Sequence, residues 1–181
     1  MATVNLLPNG GVSNDWTKSI SLAQPYSLMN DDHTGFISTD SNYLSATTTG
    51  KIFEFDFENF TEDYSSIDSV QAVVKLGNNG RGQSFAISMT INNAGGGTFW
   101  AAEASGSQAA SAGYRTQTFT SRTTFAFGST AWTDTHINNL RMKVELTAHS
   151  GGTTRATYCY FIVTYTEPVA TDNAIFFGTN F

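Results

Sequence analysis

Charged side chains are scarce in this sequence. Asp, Glu, Lys and Arg make up 13% of its 181 residues, whereas about a quarter is usual in soluble domains. The nine Lys and Arg residues form no cluster and the formal net charge is −6. The sequence therefore lacks the phosphate-neutralising surface that nucleic-acid binding requires, and we expect no nucleic-acid partner.

Cysteine and long apolar runs are also nearly absent. The single Cys159 cannot form an internal disulfide, and its apolar surroundings, TYCYFIVTY, predict a small buried core residue rather than a reactive thiol. No stretch approaches the roughly 18 apolar residues of a membrane span. The start of the chain, MATVNLLPNGG, lacks the charged segment and apolar run of a signal peptide, so we expect no leader and no membrane contact.

Thr, Ser, Asn and Gly fill the polar positions instead. Hydroxyls and amides cost less to desolvate against a partner than charged groups do, and interface cores are depleted of charge. The composition favours a protein of a crowded assembly, although uncharged secreted β-domains look similar.

From Phe36 onward, apolar residues recur at every second position, which is the period of a β-strand with one buried face. The clearest runs are KIFEFDFENF, IDSVQAVVKLG, QSFAISMTI and LRMKVEL. The turn GNNGRG between the second and third runs predicts a β-hairpin. The Gly/Ala/Ser-rich stretch 92–113 predicts a long loop or a pair of short edge strands, and TYCYFIVTY, apolar on both faces, predicts a central strand.

One helical turn is expected in AWTDTHINNL. Thr133 is a potential N-cap, and Asp134 places a negative charge in the first turn, where it suits the helix dipole. Ile137 and Leu140 are spaced to face the core, and Trp132 is placed to plug the end of the domain.

These patterns predict an all-β fold, an antiparallel two-sheet sandwich that is jelly-roll-like and carries extended N- and C-terminal arms. The predicted organisation is an N-terminal arm and first strand at 1–35, a β-sandwich at 36–166 and an apolar C-terminal tail at 167–181. No internal repeat and no second domain is evident.

Both ends of the chain carry large apolar residues in polar surroundings. Trp16 either closes one end of the core or belongs to an arm that docks on a neighbouring subunit. The tail residues Ile175, Phe176, Phe177 and Phe181 either pack back on the sandwich or dock on a neighbour, since an isolated tail cannot bury four such groups in water. These five residues are the predicted partner interface.

The sequence offers no catalytic grouping, so we expect no catalytic residues, no cofactor and no metal ion. The three histidines (His33, His136 and His149) lack zinc-ligand spacing, and neither a nucleophile elbow nor a phosphate loop is present. Acidic residues leave two alternatives to a solvated surface. Paired carboxylates could serve a glycosidase and oxygen ligands could bind calcium; the candidates are Glu54, Asp56 and Glu58 for the first, and Asp31, Asp32 and Asp40 for the second.

Aromatic residues near loops give a further candidate. Trp100, Tyr114 and Trp132 could form a platform on which a sugar stacks, or could close the core at the sandwich edges. Trp100 and Tyr114 are therefore a possible glycan or partner loop.

Several segments together resemble β-sandwich structural proteins of tailed bacteriophages, which occur as decoration, cement or fibre-associated subunits. The segments are NGGVSNDW, NDDHTGFIS, IDSVQAVVKL, AWTDTHINNLRMKVEL and ATYCYFIVTYT, and they span about residues 9 to 166. The apolar tail from Ile175 departs from the usual ending near the last strand. The resemblance implies a non-enzymatic virion protein on the outer surface of the capsid or tail.

Three functional hypotheses follow. The first is a decoration or cement subunit that binds the major capsid protein or other virion subunits through its sandwich and arms, as a homo-oligomer and, by analogy, a trimer. The second is a tail- or capsid-associated knob or fibre protein that binds a host glycan near Trp100. The third is a carbohydrate-active enzyme or its binding module.

Overall fold

A computed structural model of the chain describes residues 1–19, 24–29, 41–79, 83–109, 113–125 and 130–169. Its regular structure is almost entirely β-strand, with one 3-10 turn and one short α-helix. The elements are β1 (Ala2–Leu6), β2 (Pro8–Asn14), β3 (Thr17–Lys18), a 3-10 turn (Pro25–Leu28), β4 (Leu44–Ala46), β5 (Ile52–Phe57), β6 (Ser66–Asn78), β7 (Ser84–Asn93), β8 (Thr98–Ala104), β9 (Gln108–Ala109), β10 (Arg115–Thr118), α1 (Asp134–Ile137), β11 (Leu140–His149) and β12 (Thr154–Thr166).

The strands form two six-stranded antiparallel sheets. Sheet A has the order β10-β6-β12-β4-β3, with β1 also pairing with β12. Sheet B has the order β2-β5-β11-β7-β8, with β9 also pairing with β7. The predicted fold class, an antiparallel, jelly-roll-like β-sandwich, is confirmed.

The core lies between the sheets and follows from the alternation of side chains along each strand. In β5 the odd-numbered phenylalanines are buried and the intervening residues are partly exposed. The rings of Phe57 on sheet B and Phe161 on sheet A meet edge to face, with centroids 4.7 Å apart. Full burial of a side chain this large stabilises the fold by roughly 1.5–3 kcal/mol relative to its exposure.

The predicted hairpin between β6 and β7 is wrong. β6 pairs with β10 and β12 in sheet A, whereas β7 pairs with β11, β8 and β9 in sheet B. The connection therefore crosses between the sheets. The apolar sides of the two strands face each other across the core, and Leu76, Phe85 and Ile87 line one small cavity there. A turn-forming sequence specifies that the chain reverses direction, but not which sheet it continues in.

The first 18 residues are part of both sheets. β1 runs antiparallel to β12 from Ala2 opposite Tyr165 to Leu6 opposite Phe161, and β2 pairs with β5. Backbone hydrogen bonds of both sheets thus hold the segment that the sequence suggested as an arm. Of the two alternatives for 92–113, short edge strands are found, as β8 and β9.

The helical segments are short. Nowhere in the described ranges is a helix long and apolar enough to cross a bilayer. The tail residues 170–181 lie outside the described residues.

Candidate functional site

The helix α1 is fixed at one end of the sandwich by the residues that the sequence indicated. Thr133 is the N-cap, and its Oγ1 accepts a hydrogen bond from the backbone N–H of His136 at 3.3 Å. Trp132 is 3% exposed, and its indole N–H donates to the carbonyl oxygen of Arg122 at 2.8 Å. Ile137 is buried beneath the turn. The capped helix and the Trp plug are confirmed.

Phe125 is held by aromatic rings on several sides. Its ring stacks on the imidazole of His136 with centroids 3.6 Å apart and planes 3° from parallel. Phe99 and Trp132 meet it edge on, at 4.5 Å and 5.6 Å. Phe125 is therefore a half-buried ring packed among three other rings.

A cleft of about 280 Å³ opens beside this ring cluster, and we call it the Phe125 cleft. It is lined by Asn93, Gly95, Phe99, Phe125, Thr135, His136 and Asn139. These residues come from the end of β7, the following turn, β8, the segment before α1, and α1 with the residues that follow it. The cleft therefore combines an apolar wall with amide and hydroxyl groups.

Two amides of the Phe125 cleft are oriented by the backbone. The Oδ1 of Asn93 accepts from the N–H of Gly97 at 2.9 Å, and the Nδ2 of Asn139 donates to the carbonyl oxygen of Thr135 at 2.7 Å. An amide has two donor hydrogens and an acceptor oxygen, so each keeps hydrogen-bonding capacity. The Nδ1 of His136 is buried without a hydrogen-bond partner.

A second cleft, which we call the acidic cleft, lies on the other side of α1. It has a volume of about 340 Å³ and is lined by Phe60, Thr61, Glu62, Asp63, Tyr64 and Asp134. Glu62 accepts a hydrogen bond at 3.3 Å from the hydroxyl of Tyr165. Burial, then the charge and hydrogen bond of Glu62, then the charge of Glu167, raise the pKa of Tyr165. Within the described residues, no group of three or more His, Cys, Asp or Glu side chains is placed to hold a metal ion.

The acidic face of β5 is occupied by structural contacts. Asp56 accepts from the Nε of Arg141 at 2.6 Å, and Glu54 accepts from the amide of Asn92 at 2.9 Å. Glu58 accepts from a backbone N–H between β1 and β2 at 3.1 Å. Each carboxylate has a donor from a neighbouring segment, so this face ties strands together. The paired-carboxylate alternative gains no support from the geometry.

The three rings proposed as an aromatic platform lie in different parts of the fold. Trp100 lies in β8, packs against the core and has the guanidinium carbon of Arg122 4.5 Å from its ring centroid. Tyr114 is half-buried before β10. Trp132 is a core residue. Trp132 therefore matches the core-closure alternative. The possible glycan or partner loop at Trp100 and Tyr114 stays a prediction.

Trp16 is also a core residue. It is 3% exposed, and its ring meets Phe53 edge on, with centroids 5.2 Å apart. The core-closure alternative describes its position, and so small an exposure leaves almost no surface for the predicted partner contact.

Several other candidates lie outside the described residues. They are the tail residues Ile175, Phe176, Phe177 and Phe181, the calcium candidates Asp31, Asp32 and Asp40, and His33. The interface and calcium hypotheses for them stay predictions.

Cys159 is fully buried in β12, as the sequence predicted. Burial raises the pKa of its thiol, and only the thiolate is reactive. We expect the native protein to resist labelling by a chromogenic disulfide reagent, and one thiol per chain to react in concentrated guanidinium chloride. The Cys159→Ala variant gives the background. Rapid labelling of native protein would contradict the burial.

Sequence reasoning missed the Phe125 cleft. It found Trp132, Thr133 and the Gly/Ala/Ser-rich stretch 92–113 separately, but had no means of bringing Asn93 and Asn139 together. The backbone N–H of Ala94 donates to the carbonyl oxygen of Asn139 at 3.0 Å, and this long-range contact builds the site. The one available signal was the set of polar residues, Thr135, His136 and Asn139, around the buried Ile137.

No protein-family model matches the sequence, and no curated protein matches it. The fold is similar to solved structures at low identity. One is the CBM36-1 domain of a multidomain xylanase from the hindgut metagenome of Trinervitermes trinervoides, with 13% identity, 92% of this chain and 100% of that chain covered, and a TM-score of 0.39.

Two further structures show a comparable likeness. The C-terminal CBM6 of the laminarinase LamC from Zobellia galactanivorans has 12% identity, 90% and 100% coverage of this chain and that chain, and a TM-score of 0.42. The xylan-binding module CBM15 has 12% identity, 92% and 99% coverage, and a TM-score of 0.43. Likeness at this level says nothing about a ligand of this chain.

Proposed function

We propose that this protein is a non-enzymatic glycan-binding domain whose site is the Phe125 cleft. One observation carries the proposal: an aromatic wall and oriented amide groups line the same open cleft of about 280 Å³. The site differs from the Trp100 loop that the sequence suggested for a glycan.

A sugar ring has the two kinds of surface that this cleft complements. Its C–H groups are apolar and pack on aromatic faces, and its hydroxyls both donate and accept hydrogen bonds. The rings of Phe125 and His136 offer the first contact, and the amides of Asn93 and Asn139 offer the second. Ligand sites commonly combine an apolar wall with a few placed polar groups.

The positions and partners of the carboxylates favour binding without catalysis. Retaining glycosidases hold two carboxyl groups about 5–5.5 Å apart across the bond that breaks. No carboxylate lines the Phe125 cleft in the described part of the chain. Asp56 and Glu54 are engaged by Arg141 and Asn92 on the outer face of sheet B. A sugar bound in the Phe125 cleft would therefore dissociate without being hydrolysed.

The described surface favours this function over capsid cementing. Its exposed large hydrophobic residues are Met1, Val12 and Val169. Trp16 is in the core, and the four tail residues fall outside the described ranges. A place on a phage tail or capsid, where a glycan-binding knob would attach the particle to its host, stays a proposal that rests on the resemblance.

Blocking the cleft tests the function. Thr135 is exposed on α1, so Thr135→Arg puts a long side chain into the cleft and leaves the core untouched. Thr61→Arg is the matched control, because Thr61 is exposed in the acidic cleft on the other side of α1. We expect wild type and Thr61→Arg to bind the same oligosaccharides on a glycan array. Thr135→Arg should bind them at least about 10-fold more weakly, which is about 1.4 kcal/mol.

Phe125→Ala gives a second measurement by isothermal titration with the strongest binder from the array. It removes the stacking surface and should weaken binding by a similar factor. Its melting temperature is compared with that of the wild type to show that it is folded. Absence of binding to every glycan by the wild type, or undiminished binding by Thr135→Arg, would refute the proposal.

A further inference from the structure

We infer that the Phe125 cleft selects uncharged glycans and discriminates against acidic ones. This inference rests on the proposed function and adds the class of ligand. Three features of the structure support it: the side chains that line the cleft, the engagement of the cations nearest in sequence, and the charge on the far side of α1.

The described residues that line the Phe125 cleft include no Asp, Glu, Lys or Arg. Its polar groups are two amides, one hydroxyl and the imidazole of His136. Proteins recognise carboxylates and sulfates with an Arg fork or a Lys ammonium, which form strong charge-assisted hydrogen bonds. Amides and hydroxyls match the hydroxyl groups of a neutral sugar instead.

The described cations nearest in sequence to the lining residues are already engaged. Arg141 follows Asn139 by two positions and bonds to Asp56 at 2.6 Å. Arg122 precedes Phe125 by three positions, but its guanidinium lies over the ring of Trp100, 4.5 Å from the centroid. It also bonds to Glu103 at 2.9 Å. Glu103 in turn accepts from the hydroxyl and backbone N–H of Thr120 at 2.8 Å and 3.0 Å. Turning Arg122 toward a ligand would break this group of contacts, so it is not available to an acidic sugar.

The charge beyond α1 is negative. Asp134 lines the acidic cleft together with Glu62 and Asp63, and it precedes the lining residue Thr135 directly. The whole chain has a net charge of −6. An acidic sugar would approach against this field, and its carboxylate would lose water in the cleft without gaining a cationic partner. A neutral sugar is not repelled by this field and has no charged group to desolvate.

The test compares ligands that differ only in charge. Linear gluco-, manno- and galacto-oligosaccharides are titrated into the wild-type chain at pH 8 and low salt, each beside its counterpart oxidised at C6 to uronate. We expect each uronate to bind at least about 10-fold more weakly than its neutral counterpart. Added sodium chloride should leave the affinity for neutral sugars unchanged. It should narrow the gap in affinity between each uronate and its neutral counterpart, because salt screens the field of the carboxylates around the cleft.

Phe125→Ala and Thr61→Arg separate the possible failures. Uronates that bind as tightly as neutral sugars, and are lost in Phe125→Ala but kept in Thr61→Arg, would overturn the selectivity and leave the glycan-binding function standing. A difference between uronate and neutral binding that salt does not change would overturn the contribution of the surrounding negative charge. If no oligosaccharide of either kind binds, the proposed function fails and the selectivity fails with it.

Discussion

Trp16→Ala is expected to lower the free energy of unfolding by about 3–5 kcal/mol, the usual cost of deleting a large buried aromatic side chain. The indole is 3% exposed and meets Phe53 edge on, so its removal leaves a cavity at that end of the core. Chemical denaturation followed by tryptophan fluorescence and circular dichroism measures the change.

Trp16→Phe is the control for this prediction. The indole N–H of Trp16 is buried without a hydrogen-bond partner, so phenylalanine loses volume but no hydrogen bond. We expect Trp16→Phe to lower the free energy of unfolding clearly less than Trp16→Ala does, because most of the apolar contact is kept. If Trp16→Ala were as stable as the wild type, Trp16 would not be a core residue and the predicted partner contact would return.

Phe161→Ala should destabilise the domain by a similar amount, about 3–5 kcal/mol. Phe161 is fully buried on β12 and packs edge to face with Phe57 from the opposite sheet. Its loss removes a contact between the two sheets. Thermal and denaturant unfolding of the variant, compared with the wild type, give the change in free energy.

Ile162→Ala is the matched neighbour, because successive residues of a strand point to opposite faces. Ile162 is only partly buried on the outward side of sheet A. We expect its truncation to cost no more than about 1–2 kcal/mol, since less apolar area returns to water. If Phe161→Ala and Ile162→Ala lowered the free energy of unfolding equally, the assignment of the two faces of β12 would be contradicted.

Which residues of each strand face the core could be predicted, because buried and exposed positions alternate along a strand. Phe53, Phe55 and Phe57 face the core of β5, and Met142 and Val144 face it from β11, as their alternation with charged residues indicates. The capped turn at Thr133 was predictable for a similar reason. N-capping depends on residues a few positions apart, so the sequence itself displays it.

Sheet membership and the Phe125 cleft could not be predicted in this way. The pairing of β6 with β12 joins residues that lie far apart in the chain, such as Val74 and Cys159. Local turn residues carry no information about that choice. The cleft depends on the same kind of contact, because Asn93 and Asn139 meet only after β7 and β11 have paired.

The position of β12 also has a consequence for synthesis. β12 lies between β6 on one side and β1 and β4 on the other, and it is the last strand of the described chain. The ribosome therefore releases the edges of β1 and β6 well before their shared neighbour emerges. Unpaired apolar strands of this kind are prone to association during biosynthesis. Sheet A can close only after residues 154–166 have left the exit tunnel, so its earlier strands stay without their shared neighbour until then.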